Sequence, residues 1–200
     1  MQSLANTNHF PTAAGVYFKT LEGRAVLALA GTGLMALCAH VSVPLLFTPV
    51  PLTLQTFAVL LIGFLLGPVM GFFSLLAYLM EGASGLPVFS PHGGPGGIAE
   101  LMGPTGGYLL AYPFMAAVAG FVSRALPLRH VPFIAYTTAG VVASALLFAA
   151  GAGWLMALTH IGPGTAWTAA IAPFLPGEVI KICAAAGISR AVYRHPITES

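Results

Sequence analysis

The sequence predicts an all-α integral membrane protein with six transmembrane helices. Only 6% of the 200 residues are charged, 58% are hydrophobic and Asp is absent, and the mean hydropathy is +0.91. Soluble domains carry about 25% charged residues, so a chain this poor in charge suits lipid better than water. The 24 Gly and 16 Pro also fit membrane helices, which tolerate both residues. Finally, apolar stretches close to the length of about 20 residues that crosses a bilayer recur along the chain.

The spans are predicted in order along one membrane domain, 25–192. A polar lead, 1–24, lacks the order of a signal peptide and precedes the first span, 25–47. The next stretch, 52–80, has no charge and contains "LLGPVMG", whose Gly-Pro pair is a turn signal. It is therefore either one kinked helix or two short helices in a hairpin. Further spans are predicted at 108–122 with the residues before it, 132–158 and 178–192, followed by a tail, 193–200.

The distribution of positive charge decides between these alternatives. Cytoplasmic loops of membrane proteins are enriched in Lys and Arg. If 52–80 is a hairpin, the cations outside the spans all fall on one side; if it is one helix, two of them fall on the opposite side. These cations are Lys19, Arg24, Arg124, Arg129, Arg190 and Arg194. The hairpin is favoured, which gives six spans and places both termini in the cytoplasm.

Three Gly/Pro-rich connections, 44–53, 85–107 and 159–177, then share the outer face. Irregular backbone at membrane depth is tolerated only where protein or a cavity covers it. We therefore expect these connections to form the lid and walls of an outward-facing pocket.

Glu178 and Lys181 lie three residues apart at the start of the last span, so they share a helix face. An ionisable residue within a membrane segment costs about 2.5–3.5 kcal/mol and usually marks a function. The alternative is a self-neutralising pair that reaches the interface. A carboxylate beside an ammonium suits a neutral ligand with both N–H and C=O groups, such as an amide or a urea.

Small residues at helical spacing occur twice. The run "GFLLGPVMG" (63–71) contains a repeated GxxxG, for which internal helix packing is favoured over a partner interface. Ala28, Thr32 and Ala36 form a similar ridge on the first span, with no evident internal partner. That ridge is a candidate docking face for a partner helix.

Several functions are disfavoured by what the sequence lacks. There is no phosphate-binding loop, and no metalloprotease or serine hydrolase motif. A net charge of +2 is too small for nucleic-acid binding. The isolated Cys38 and Cys183 suggest neither a disulfide nor a metal site. We expect no catalytic residues, no cofactor and no metal.

Four segments resemble the BioY family in order and spacing. They are "VPLTLQTFAVLLIGFLLGP" (50–68), "GLPVF" (85–89), "LMGPTGGYLLAY" (101–112) and "PFLPGEVIK" (173–181). This family comprises the biotin-binding S components of energy-coupling factor (ECF) transporters. The resemblance implies the six-helix S-component fold, with a biotin site near the outer face, in a cell inner (plasma) membrane.

The resemblance also implies roles for particular residues. In the family, an acidic residue and a lysine at the positions of Glu178 and Lys181 bind the ureido ring of biotin, although the acid is more often Asp. Gln55 and Tyr108 lie in the matching runs and are further candidates. The remaining candidates are Thr53, His92, Glu100 and Glu81. For Glu81 an interfacial carboxylate is favoured over a ligand group, and His92 and Glu100 are alternatively solvated loop residues. The loop "SPHGGPGGIAE" (90–100) has no Arg for the valerate carboxylate, for which His92 is a weak substitute.

The resemblance implies partners as well. S components of this family work in the lipid bilayer with a transmembrane T component and two ATPases, and the ridge of Ala28, Thr32 and Ala36 would contact the T component. The loaded subunit would rotate in the membrane to release biotin inside. The alternative is a self-sufficient carrier, for which inverted repeats and charges shared between the two halves would be expected; neither is found.

Overall fold

The computed structural model of the protein describes residues 20–126 and 131–194. A short antiparallel hairpin joins the first two helices, and a π turn (Trp167–Ile171) and a 3-10 turn (Ala172–Phe174) precede the last. The elements are α1 (Leu21–His40), β1 (Ser42–Val43), β2 (Leu52–Thr53), α2 (Gln55–Ala83), α3 (Gly97–Leu101), α4 (Gly106–Ala125), α5 (Pro132–Thr159), α6 (Pro163–Ala166) and α7 (Leu175–Arg194).

Helix α2 is a helical hairpin. Its backbone leaves the helical region at Gly67, whose φ of +87° favours glycine, and Pro68 then opens the second arm as a first-turn proline. Gln55 Nε2 donates to Tyr78 Oη at 3.0 Å, although 23 residues of straight helix would separate the two by about 34 Å. The predicted hairpin is therefore confirmed.

The hairpin gives the bundle six membrane helices. Five segments of the described chain are long and apolar enough to cross a membrane, namely α1, α2, α4, α5 and 163–193. Because α2 folds into a first arm (55–66) and a second arm (68–83), it contributes two of the six. The all-α membrane fold predicted from the sequence is confirmed.

One end of the bundle, called the turn end here, is closed by side chains that cap the first arm. Arg124 Nη1 donates to Gly120 O at 2.8 Å, and Nη2 donates to Phe64 O at 3.1 Å. Tyr193 Oη donates to Leu65 O at 3.0 Å. The last carbonyls of a helix have no partner within the helix, so these two side chains supply the missing donors. They also tie the ends of α4 and α7 to the Gly67 turn.

The repeated GxxxG serves internal packing, as predicted. A Cβ on Gly71 would lie 3.3 Å from Gly63 Cα, and a Cβ on Gly63 would collide with the backbone of Ala116 in α4. Gly63 and Gly71 thus let the two arms and α4 approach closely. Gly67 forms the turn between the arms, where its backbone lies close to Gly120 of α4.

The ridge on α1 is not free of internal contacts. Thr32 is 4% exposed, and Ala28 and Ala36 are half-buried. Helix α1 packs on α2 through this side, where a Cβ on Gly31 would lie 3.4 Å from Ser74 Cβ. The premise that Ala28, Thr32 and Ala36 lack an internal partner is therefore wrong for Thr32.

Some predicted boundaries are also wrong. Helix α1 begins at Leu21, where Thr20 Oγ1 accepts from Gly23 N, and not at residue 25. It ends at His40 and not at 47, because the β1–β2 hairpin follows at once. The predicted irregular connection 159–177 is mostly helical, since α6 and the two turns run from Pro163 to Phe174. The connection 85–107 is irregular except for α3 and the start of α4.

Candidate ligand-binding site

A cavity lies at the end of the bundle opposite the Gly67 turn, where α2, α4 and α7 begin. Loop residues cover it from the β hairpin and from the segment between α2 and α4, and apolar side chains of α5 and the 3-10 turn form one wall. Its lining comprises Val50, Pro51, Thr53, Gln55, Thr56, Ser90, Gly93, Glu100, Thr105, Tyr108, Leu109, Tyr112, Leu147, Phe148, Phe174, Glu178 and Lys181.

Glu178 is the centre of a buried polar cluster. Its side chain is only 3% exposed. Ser144 Oγ of α5 donates to Oε1 at 2.7 Å, and Thr56 Oγ1 of α2 donates to Oε2 at 2.7 Å. Three helices therefore meet at this one carboxylate, which leaves acceptor capacity on Oε1, since each oxygen can accept about two hydrogen bonds.

Lys181 completes the cluster. Its ammonium donates to Thr56 Oγ1 at 2.8 Å and to Glu178 Oε2 at 3.3 Å, and the residue is 8% exposed. Thr56 thus accepts from Lys181 while it donates to Glu178. An ammonium has three donors, so one remains for a ligand. A donor and an acceptor are presented side by side, and neither charge is buried without a partner.

Backbone irregularity before α7 places this pair at the cavity. Pro173 lies in the 3-10 turn and Pro176 in the first turn of α7, and neither has an N–H to continue the ladder of the preceding turns. The helix restarts at Leu175, so Glu178 falls in its first turn. Negative charge is stabilised there by the helix dipole.

A second hydrogen-bonded group orients Gln55. Its Oε1 accepts from Thr53 Oγ1 at 3.1 Å and from Tyr112 Oη at 3.3 Å, and its Nε2 donates to Tyr78 Oη at 3.0 Å. Tyr78 in turn donates to Val88 O at 2.9 Å. An amide nitrogen has two donors, so Gln55 keeps one N–H while its carbonyl orientation is fixed.

Tyr108 lines the cavity from α4. Its hydroxyl donates to Ala170 O in the π turn, so the ring is held between α4 and the segment that leads into α7. The π turn is also tied to the β hairpin, since Thr48 Oγ1 donates to Ala169 O at 2.7 Å. The aromatic face of Tyr108 is thereby fixed as part of the cavity wall.

Glu100, the acid of α3, reaches the cavity from the outer segment and is 2% exposed. Glycines make room for it, because a Cβ on Gly94 would lie 3.2 Å from Glu100 Cγ and one on Gly93 would collide with Oε1. Burial raises the pKa of this carboxyl from 4.5 to about 7, against a backbone hydrogen bond at Gly96 that lowers it.

The structure brings together six of the eight candidate ligand residues, namely Glu178, Lys181, Gln55, Tyr108, Thr53 and Glu100. It does not bring His92 or Glu81 to the cavity. His92 is exposed and Nδ1 lies 2.8 Å from Ser42 Oγ, whereas Glu81 is half-buried at the end of α2 and is not among the lining residues.

Sequence reasoning missed Thr56, Ser144 and Tyr112. Thr56 and Tyr112 lie within the runs that carried the family resemblance, and Tyr112 is four residues after Tyr108 and so on the same helix face. Ser144 is a single hydroxyl in an apolar stretch, and no sequence pattern there predicts that it would contact a carboxylate. Within 20–126 and 131–194, no three His, Cys, Asp or Glu side chains are grouped to hold a metal ion.

The fold and the cavity together define a helical membrane protein with a polar-lined cavity in its interior, between the loop-covered ends of its helices. The donor and acceptor of Lys181 and Glu178 fit an uncharged polar head group, and the apolar wall fits a hydrocarbon body.

Comparison with known proteins makes the assignment more specific. A sequence profile described as the BioY family matches residues 12–196. The chain is 38% identical over 139 residues to the probable biotin transporter BioY of Pyrococcus horikoshii, covering 68% of this chain and 76% of that protein. It is 35% identical over 158 residues to the biotin transporter BioY of Thermotoga maritima, covering 79% and 88%. This chain therefore belongs to the BioY family.

A solved structure extends the similarity to the fold. The chain matches the crystal structure of the S-component for biotin from an ECF-type ABC transporter with a TM-score of 0.75 and 27% sequence identity. The match covers 96% of both chains. The S-component fold and the family predicted from the sequence are confirmed.

Proposed function

We propose that this chain is a substrate-binding membrane subunit that captures biotin in the cavity and delivers it inward for vitamin uptake. The observation that carries the proposal is the buried cluster of Glu178, Lys181, Thr56 and Ser144 in the cavity. A cyclic urea has N–H donors beside a carbonyl acceptor. The remaining donor of Lys181 and the remaining acceptor capacity of Glu178 match that pattern.

In this proposal each part of the cavity has a separate task. Lys181 donates to the ureido oxygen, and Glu178 accepts from a ureido N–H. Thr56 and Ser144 hold the carboxylate in place by donating to it, which reduces the ordering needed when ligand binds. Phe148 and Phe174 cover the apolar sulfur ring, and water is excluded from the hydrogen bonds to the head group.

The outward orientation of the cavity is inferred from charge. Arg124 lies at the turn end, and the described parts of α1 and α7 carry Arg24 and Arg190 at their ends on that same side. Positive residues mark the cytoplasmic side. The turn end would then face the cytoplasm of a cell inner membrane, and the loop-covered cavity would face outward.

Transport itself requires partners in this proposal. The chain would work with a transmembrane T component and two ATPases, the arrangement that the family resemblance implies. Ala28 and Ala36, which remain half-exposed on α1, are the part of the predicted docking ridge still accessible to a partner helix. Ala28→Trp is expected to abolish partner-dependent uptake without weakening biotin binding by more than twofold. Loss of binding would show that this side of α1 supports the cavity instead.

Ligand binding is tested first, on the purified chain in detergent or nanodiscs by calorimetry. Biotin and desthiobiotin both carry the ureido group and are expected to bind, whereas lipoate, a carboxylate with a sulfur ring but no ureido group, is not. Equal affinity for lipoate and biotin would contradict the assignment of the cluster. Uptake of labelled biotin by cells with and without the T component and ATPases then tests the need for partners.

A further inference from the structure

Glu100 lies between two spaces in the protein, whereas the cluster of Glu178 and Lys181 lines only one of them. It lines the cavity, and it also lines a separate hollow between α1 and the segment after α2, to which His40, Pro91 and Gly96 contribute. Ser90 is the other residue shared by the two spaces, whereas Glu178 and Lys181 line only the cavity. Apart from Glu178 and Lys181, Glu100 is the charged residue type in the lining of the cavity, so it is the group available to the other end of a ligand whose head is held at Lys181.

Among residues 20–126 and 131–194, no Lys or Arg forms an ion pair with the Glu100 carboxyl. The buried ion pair of the cavity joins Glu178 to Lys181, and Glu100 is not part of it. A buried carboxyl without a cation is stabilised in its neutral form, because charge without a partner is costly away from water. An ionised Glu100 would also repel an anionic ligand in the same cavity.

We propose that Glu100, as a neutral acid, donates a hydrogen bond to the carboxylate at the tail of the ligand, so that capture of an anionic ligand takes up one proton wherever Glu100 is ionised before the ligand binds. This inference rests on the proposed function, since it places the head of biotin at Glu178 and Lys181. The proton stays on Glu100 or is shared with the ligand, and no bond other than the hydrogen bond forms.

The burial of Glu100 is consistent with such a role, since it raises the pKa of the carboxyl to about 7. Other titratable groups lie around it on each neighbouring element: His40 on α1, Tyr78 and Glu81 on α2, His92 in the same segment, Tyr108 and Tyr112 on α4, and Glu178 and Lys181 on α7. Of these, His40 lines the hollow beside Glu100 and needs a control.

The experiment measures biotin affinity of the purified chain between pH 5.5 and 8.5 by calorimetry, in two buffers of different ionisation enthalpy. With one linked proton, Kd is expected to rise about tenfold between pH 7.5 and 8.5, with proton uptake approaching one. Biotin amide has no tail charge, so its Kd is expected to be independent of pH. A Kd for biotin that is equally flat, with no proton uptake, would overturn the inference.

Variants identify the group that titrates. In Glu100→Gln, which keeps a donor, biotin affinity is expected to become independent of pH while amide binding is retained. His40→Gln is the matched control, because His40 lines the hollow but not the cavity, and it is expected to keep the pH dependence of the parent chain. A pH dependence that persists in Glu100→Gln would assign the proton to another group.

The outcomes also separate this inference from the proposed function. If neither biotin nor its amide binds at any pH, the proposed function fails. If both bind but biotin affinity is independent of pH, only the role of Glu100 fails. The comparison of biotin with its amide uses the unmodified chain, so it decides the question even if Glu100→Gln does not fold.

Discussion

Lys181→Met tests the centre of the site, since methionine keeps most of the apolar stem and removes only the ammonium. The change eliminates the donors to Thr56 Oγ1 and Glu178 Oε2 at 2.8 and 3.3 Å and the one proposed for the ureido oxygen. A hydrogen bond to a charged group contributes about 1.5–3 kcal/mol. Biotin affinity is therefore expected to fall by roughly tenfold to more than a hundredfold.

The charge left behind adds to that loss. Without Lys181, the carboxylate of Glu178 stays buried with only the hydroxyls of Ser144 and Thr56 as donors, and a buried charge without its counter-ion is strongly destabilising. Glu178→Gln is expected to be milder for binding, because the amide keeps an acceptor and the hydroxyls can rotate to suit it.

The double variant Glu178→Gln, Lys181→Met separates stability from recognition. It leaves no unpaired charge, so its melting temperature is expected to exceed that of Lys181→Met alone, while its affinity for biotin stays at least tenfold below the parent chain. Ile180→Ala serves as the control, since Ile180 is 70% exposed next to the pair and should leave affinity unchanged. Calorimetry on monodisperse samples that yields an affinity within twofold of the parent for Lys181→Met would refute the assignment.

Three further predictions concern packing, pH and topology. Gly63→Ala is expected to lower the melting temperature, because its Cβ would collide with α4. In the control Gly33→Ala, the Cβ meets nothing within 4 Å, and the change is expected to be neutral or stabilising. Equal melting temperatures for the two variants would contradict the close approach of the first arm to α4. In the folded chain the pKa of Glu100 is raised from 4.5 to about 7. The free energy of unfolding is therefore expected to fall by up to about 3 kcal/mol as the pH rises from 4.5 to about 7. A parallel melting series on Glu100→Gln should lack this fall. Single cysteines at Ala125 and Gly162, in a chain without its native cysteines, are expected to react with impermeant reagent from opposite sides of the membrane; labelling from one side would contradict the six-helix topology.

The sequence predicted the hairpin and the charged pair because each depends on a strong local signal. The Gly-Pro turn at 67–68 interrupts a long charge-free stretch, and Glu178 and Lys181 are costly in an apolar run. Thr56 and Ser144 could not be found in the same way. Hydroxyls in membrane helices are often satisfied by their own backbone carbonyls, so nothing in the sequence distinguishes the ones that hold a carboxylate across helices.

The wrong boundary at 159–177 has a physical cause as well. Gly and Pro predict a loop by composition, but Pro163 and Pro173 each lie in the first turn of a short helical segment, where a missing N–H costs nothing. The burial of Glu100 could not be predicted either. It depends on the backbone of Gly93 and Gly94 folding against a side chain several residues later.

The hairpin of α2 has a consequence for how the chain enters the bilayer during synthesis. Its arms, 55–66 and 68–83, rise only about 18 and 24 Å, and each is shorter than the hydrocarbon thickness of about 30 Å. Neither arm alone would be stable across the membrane. The hydrogen bond between Gln55 and Tyr78 joins the two arms at the side away from the Gly67 turn. The two arms therefore form a single insertion unit, and a chain interrupted at Gly67 would carry the first arm without the second arm that it needs to stay in the membrane.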